Sequence, residues 1–155
     1  MLYRRYTPKD FDQLYALEEA CFQPPLRFGR GYMQQLVSSS HAATWVAEED
    51  DRMAGFGIVD AAEEADGIIA YIQTLEVISD RRGQGVGGEL LRLIEGSARD
   101  AGAALIWLHV NAANASAIRL YEAHGYLCEG EKANFYALGN GAMIYAKALG
   151  VKMGS

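Results

Sequence analysis

The densest chemistry in this sequence is a run of glycines beside arginines, Arg82-Gly83-Gln84-Gly85-Val86-Gly87-Gly88, between a strand-like segment and a helix-like one. A phosphate group binds where backbone N–H groups are unpaired and a helix presents the positive end of its dipole. Glycines allow the backbone to approach closely and to adopt positive φ. Arg81 and Arg82 add charge for phosphate oxygens. The run contains Gly83-x-Gly85-x-x-Gly88, formally the dinucleotide fingerprint. However, residues 101–107 are apolar where an acidic ribose ligand belongs, and the turn does not follow the first strand of a βαβ unit. It also lacks the Gly-Lys-Ser/Thr of a Walker loop. A purely structural glycine turn is the bland alternative.

Positioning this run requires elements on both sides. Residues 2–6 are expected to form a short strand. Thr7 caps a helix with Pro8 in its first position and Asp10 three residues on, and Leu14, Leu17 and Cys21 carry its periodicity to about residue 20. The segment 22–29, with Pro24 and Pro25, cannot continue that helix. A second helix is expected near 32–38. Residues 44–48, 53–60 and 68–77 read as successive strands, and 85–101 as a helix whose buried face includes Leu90, Leu91, Leu93 and Ile94. Residues 105–110 form an apolar strand suited to burial on both faces. Asn114 starts a helix that Gly125 stops, and 126–133 and 142–149 close the chain as two strands. The order is β-α-α-β-β-β-α-β-α-β-β, an α/β class fold (α+β mixed sheet) with helices packed on the sheet.

Composition bounds the partners. The chain has 155 residues, 50% of them hydrophobic and 22% charged, which suits one domain with a real core at residues 1–150 and a tail at 151–155. No apolar stretch is long enough for a membrane span, and the N-terminus lacks a signal-peptide core. A formal charge of −6 argues against an extended nucleic-acid surface and suits a basic substrate. Cys21 and Cys128 stand in no metal-binding spacing, so buried free thiols in a reducing compartment, the cytoplasm, are expected, with no metal. A monomer or weak dimer is expected.

The pattern Arg-x-x-Gly-x-Gly at 82–87 resembles the pyrophosphate motif of the GCN5-related N-acetyltransferase (GNAT) family. Leu75-Glu76-Val77 sits where that family's fourth strand carries a bulge that pairs with pantetheine. Asn111 to Tyr126, with Asn114, Ala117, Leu120, Tyr121 and Gly125, resembles the second cofactor motif, Asn-x-x-Ala-x-x-Leu-Tyr-x-x-x-Gly-Phe. Ser79 departs from the proline common there. The resemblance implies a GNAT fold and acetyl-CoA as co-substrate, bound by Leu75, Glu76, Val77, Arg82, Gly83, Gln84, Gly85, Val86, Gly87, Gly88, Asn114 and Tyr121. Within the family, residues 17–25, Trp107-Leu108-His109-Val110 and Asn134-Phe135-Tyr136 resemble the protein N-terminal acetyltransferases of the ribosomal-protein-alanine type. Phe22, Pro24, Pro25 and Tyr136 would then contact the acceptor. Phe135 stands in place of a tyrosine. His109, where the bacterial enzymes carry glutamate, resembles the eukaryotic type, as does Tyr71 on the fourth strand.

Acetyl transfer from a thioester needs a neutral amine, a donor for the developing oxyanion and a proton for the leaving thiolate. An α-amine, with a pKa of about 7.7–8.0, needs only a weak base, and histidine suits it. The resemblance implies His109 with Tyr71, through an ordered water, as that base, the Val77 N–H as oxyanion donor and Tyr121 as the acid. In the bland reading His109 and Tyr121 only fill the core, and residues 22–25 and Tyr136 only shape loops. Glu76 is a rival base, and His41 and His124 are expected on the surface. The implied function is transfer of acetyl to a primary amine, foremost a protein or peptide N-terminus. The alternatives are a small-molecule amine acetyltransferase, a non-catalytic acyl-CoA sensor and, more distantly, a Rossmann-like nucleotide binder.

Overall fold

The computed structural model describes residues 1–150, so the expected 151–155 tail lies outside the described residues. The elements are β1 (Leu2–Arg5), α1 (Phe11–Cys21), α2 (Arg30–Ser38), β2 (Ala42–Glu49), β3 (Arg52–Glu64), β4 (Gly67–Val77), α3 (Val86–Asp100), β5 (Ala103–Asn111), α4 (Ala115–Ala123), β6 (Leu127–Ala137) and β7 (Asn140–Ala148). One seven-stranded sheet runs in the order β1-β2-β3-β4-β5-β7-β6. Every pairing is antiparallel except that of β4 with β5. The expected element order and mixed sheet are both present.

Two apolar layers cover the sheet. On one face, Phe11, Leu14, Leu17, Met33 and Leu36 of α1 and α2 pack on Val46, Phe56 and Ile58. On the other, Leu91, Ile94 and Ala98 of α3, with Tyr121 of α4, pack on Val59, Ile72, Ile106, Leu108 and Val110. Each fully buried side chain of this kind contributes about 1.5–3 kcal/mol against conformational entropy. The start of α1 is fixed by charge: Arg4 donates to both carboxylate oxygens of Asp10 at 2.8 Å, and the Thr7 N–H donates to Asp10 Oδ2 at 2.7 Å. A short 3-10 turn, Pro8–Asp10, precedes the α-helix proper.

Several expectations need correction. β5 is not buried on both faces: Ile106, Leu108 and Val110 are buried, whereas Trp107 and His109 on the opposite side are half-buried. The bulge in β4 is not at Leu75-Glu76-Val77. It falls at Gln73, which has no partner between the pairs Val59↔Ile72 and Ile58↔Thr74. Cys21 is half-buried and Cys128 exposed, because β6 is an edge strand whose first nine residues are all exposed. His41 is exposed as expected, but His124 is half-buried against Gly88. β3 runs four residues past the expected end, extending its pairing with β4 to Glu64↔Gly67.

Two glycines on β3 set how closely the layers approach. A Cβ on Gly55 would lie 2.6 Å from the Glu76 carbonyl oxygen, and one on Gly57 would fall against Ile94 Cδ1. The first obstacle is backbone and the second the tip of a flexible side chain. Gly55→Ala should therefore destabilise the protein by about 1–3 kcal/mol and Gly57→Ala by less, measured as urea denaturation midpoints. Equal losses would show that α3 cannot yield at Ile94.

Candidate active site

β4 and β5 pair only from Ile68↔Ala103 to Tyr71↔Trp107. Beyond that point the strands diverge, and the sheet opens into a cleft whose walls still carry backbone groups. The Ile78 N–H donates to Ala54 O on β3 at 2.8 Å. Because N–H directions alternate along a strand, the Val77 N–H points the other way, into the cleft. The Gln73 bulge shifts the alternation so that Tyr71, Thr74 and Glu76 share the face toward α1.

Two adjoining cavities occupy the cleft. The outer one, about 450 Å³, is lined by Leu75, Glu76 and Val77 of β4, by Arg82, Gly83, Gly85, Gly87 and Gly88 of the glycine turn, and by Asn114, Ser116, Ala117, Arg119 and Leu120 at the start of α4. The inner one, about 90 Å³, is lined by Phe22, Leu26, Phe28, Leu75, His109, Tyr121 and Tyr136 among others. Phe22, Leu75, Asn114 and Ala117 line both.

The glycines divide into two jobs. Gly83 and Gly85 have φ of +76° and +84°, and nothing lies within 4 Å of the Cβ either would carry. They are required by backbone conformation and leave open space. Gly85 is the N-cap of α3, and among the described residues no side chain caps that end, so its amides and the helix dipole are free for an anion. Gly87 and Gly88 serve packing: a Cβ on each would meet Leu120 or the His124 ring at 3.2 Å. The arginines are less free than expected. Arg81 is paired with Glu49 at 2.6 Å, and Arg82 donates to Val77 O at 3.0 Å while its other end reaches Cys21 Sγ. Gln84 donates to Asp80 O, and Val86 is buried in the core, so neither lines a cavity. The free helix end, open glycine positions and outward Val77 N–H fit the diphosphate and amide-rich arm of an acyl-CoA. Asn114 caps α4 by accepting the Ala117 N–H at 3.1 Å, which leaves its amide NH₂ for a ligand.

Beside the inner cavity, which His109 lines and Tyr71 does not, the Tyr71 hydroxyl and His109 Nδ1 are 2.8 Å apart, a direct hydrogen bond. Burial pushes the Tyr71 phenol up to about 12. Burial, and secondarily the Lys132 charge, lowers His109 below its ordinary value. Both rings are therefore neutral near pH 7. With the phenol protonated we assign it as donor, which leaves Nδ1 as the acceptor. Phe135 stacks on the imidazole at 4.1 Å and 10°, and Trp107 packs edge-on to Tyr71 at 4.7 Å. Tyr121 is 5% exposed, packs edge-on to Tyr126, and has its phenol raised by burial. No hydrogen bond to another described residue engages its hydroxyl, and the ring faces the inner cavity.

Phe22 and Tyr136 join this cavity as expected, but Pro24 and Pro25 are exposed and line neither cavity. Leu26 and Phe28 take their place. The signal was the apolar spacing after the prolines, which cannot by itself say which side chains turn inward. Phe135, noted only as a missing hydroxyl, is the wall of the histidine. Ser116 and Arg119 on the outer cavity were not anticipated. Among the described residues no group of His, Cys, Asp and Glu is placed to hold a metal, and no helix is long and apolar enough to cross a membrane.

The model of the acetyltransferase (GNAT) family matches residues 11–126. The [ribosomal protein bS18]-alanine N-acetyltransferase of Salmonella typhimurium is 33% identical over 92 residues, 59% of this chain. The match spans only 60% of that relative's own length. Among solved structures, the ribosomal-protein-S18-alanine N-acetyltransferase of Escherichia coli superposes with a TM-score of 0.82 at 23% identity, covering 99% of this chain and 96% of that one. Arabidopsis thaliana NAA60 with a bisubstrate analogue gives 0.83 at 22% identity, covering 97% and 99%. At these identities the two structures speak to the fold.

The Lys132 ammonium lies over the Phe135 ring at 5.4 Å, on the cluster that holds His109. Lys132→Gln removes a like charge and should move the His109 titration up, toward about 6.5, in an NMR pH series. A downward move would mean that Lys132 acts on His109 by some route other than its charge.

Proposed function

The chain belongs to the acetyltransferase (GNAT) family, and on that premise we propose that it transfers the acetyl group of acetyl-CoA to the α-amine of a protein or peptide N-terminus, by direct attack in a ternary complex. The observation that carries this reading is the meeting of the two cavities at Leu75 and Asn114, with the glycine turn on one side and the Tyr71–His109 pair on the other. The outer cavity would hold the diphosphate against the free end of α3, and the β4 edge would pair with the amide-rich arm.

The residues of the inner cavity supply the rest. The attacking nitrogen forms a bond to the thioester carbon, and the C–S bond breaks. The proton lost by nitrogen passes through an ordered water to Tyr71, which stands behind His109, as the phenol's own proton moves to His109 Nδ1. The Val77 N–H stabilises the oxyanion. Tyr121, kept protonated by burial, donates to the departing sulfur. A base with a lowered pKa is matched to an α-amine of about 8, which is partly neutral at pH 7, better than to a lysine near 10.4. Glu76 is a poorer base because burial and the neighbouring Glu18 keep it protonated. Phe22, Leu26, Phe28 and Leu75 give the inner cavity an apolar wall that suits a first side chain. Residues 1–150 read as one catalytic domain, and free thiols at Cys21 and Cys128 suit a reducing cytoplasm.

Acetyl-CoA at a hundred times its dissociation constant should stabilise the protein by about 2.7 kcal/mol. Gly85→Glu, which puts a carboxylate at the free end of α3 where nothing obstructs it, should remove that stabilisation while the apoprotein stays folded. The readout is the melting shift with and without ligand, and normal affinity in the folded variant would place the phosphates elsewhere.

Turnover against a panel of peptides and small amines should favour peptides with free N-termini. Tyr121→Phe should lower kcat by about 10²–10⁴-fold with little change in acetyl-CoA affinity. His109→Ala should show its defect mainly at low pH, where the amine is charged and a base is needed. An unchanged pH profile in His109→Ala, with chemistry rate-limiting, would make the histidine structural. Preference for a diamine or an aminoglycoside would replace the peptide reading with the small-molecule one.

A further inference from the structure

Outside the proton path, two carboxyl groups are buried against each other where α1 meets β4. Glu18 is 1% exposed and Glu76 is 3% exposed, on elements that touch: Cys21 Sγ, one turn along α1 from Glu18, lies 3.9 Å from the carbonyl oxygen of Val77, next to Glu76. Glu76 Oε2 accepts from Thr74 Oγ1 at 2.8 Å, and Glu18 Oε2 accepts from the Phe28 N–H at 2.9 Å. The other oxygen of each, Oε1, is buried without any donor among the described residues. Two ionised carboxyls cannot lie together in such a place with bare oxygens, but one proton between them satisfies both.

The groups facing the pair supply no alternative. On α1 the neighbours of Glu76 are Glu18 and the Cys21 thiol, and across β3 its partner is the uncharged Phe56. Arg82, on the turn beyond β4, donates to Val77 O and reaches Cys21 Sγ, and among the described residues it forms no ion pair with either carboxyl. Burial, the contact with Glu18 and its charge all raise Glu76 well above the usual carboxylate range, so Glu76 carries the proton. Beyond the pair, Glu18 holds the far end of the loop that follows α1. The Phe28 peptide is clamped on both sides, its N–H on Glu18 and its carbonyl on the Tyr15 hydroxyl at 2.9 Å. That loop supplies Phe22, Leu26 and Phe28 to the inner cavity.

We propose that Glu18 and Glu76, joined by a single proton, form a latch that holds the 22–29 loop against β4 and so shapes the acceptor side of the site. Both are positioning residues that act through the loop. The role assigned to the loop rests on the acetyl-transfer reading, whereas the latch itself does not. A carboxyl whose folded pKa is raised stabilises the fold at low pH, and that contribution is lost as pH rises through the folded value. The latch therefore loosens on the alkaline side.

The test compares the parent with Glu18→Gln and Glu18→Ala from about pH 6 to about pH 9 by steady-state kinetics and melting temperature. Glutamine at 18 donates its N–H to Glu76 and accepts from Phe28 without the shared proton. The parent should show acceptor KM climbing and melting temperature falling relative to Glu18→Gln as pH rises. Ionisation of the acceptor amine is common to both proteins and cancels in the comparison. Glu18→Ala should raise acceptor KM about tenfold or more at every pH, with the acetyl-CoA KM little changed. Parallel parent and Glu18→Gln profiles in both readouts would overturn the latch, as would equal losses for both substrates in Glu18→Ala. If no amine is turned over, the acetyl-transfer reading fails separately and the melting profiles decide. A flatter curve for Glu18→Gln supports the latch and parallel curves refute it. If Glu18→Ala does not fold, the Glu18→Gln comparison decides alone.

Discussion

The parting of β4 and β5 after Tyr71 and Trp107 is the constraint on which the rest depends. A parallel pair that stayed in register would satisfy every backbone group on the facing edges and leave no opening in the sheet. Because the pairing stops, the second half of β4 presents N–H and C=O groups to a cleft, and buried polar groups of that kind require a partner. The glycine turn, the start of α4 and the loop after α1 all gather at this one break. The inner and outer cavities are two stretches of a single opening.

The Gln73 bulge makes the break usable. Without it, Tyr71 and Thr74 would point to opposite faces of the sheet, since side chains alternate along a strand. With it, the tyrosine that meets His109 and the Thr74–Glu76 pair that meets α1 share one face. The same face of β5 carries Trp107 and His109, and the β6–β7 hairpin lays Phe135 over the imidazole. The histidine is thus enclosed by three rings. That enclosure both lowers its affinity for a proton and fixes its orientation.

The opposite face is built for rigidity. α3 packs with glycines of β3 beneath it, Gly87 and Gly88 let α4 and the His124 ring come close, and the Trp45 indole donates to Ser97 across the interface at 2.8 Å. The end of α3 that faces the cleft is therefore held in place by packing and needs no side-chain cap. Its free amides remain available because no side chain among the described residues caps them.

Local physics was enough for much of this. Helical periodicity in α1 and α3, the prolines after Cys21, and alternation in the central strands each follow from a few neighbouring residues, and the element order was legible for that reason. So was the glycine turn, because positive φ at Gly83 and Gly85 is a local demand. The bulge was misplaced by two residues, since a one-residue insertion in a strand is defined only against its partner, and Ile58 and Val59 of β3 decide it. The burial of one face of β5 and the half-exposure of the other depend on where β4 parts from it. Leu26 and Phe28 replace Pro24 and Pro25 in the inner cavity because Glu18 and Tyr15, both on α1, clamp the Phe28 peptide. The sequence by itself determined the elements, their order and the turn, all set by short-range backbone and burial preferences. Which side chains meet in the cleft, and the charge state each holds there, was decided only by the tertiary structure, because those contacts join residues 10 to 58 positions apart.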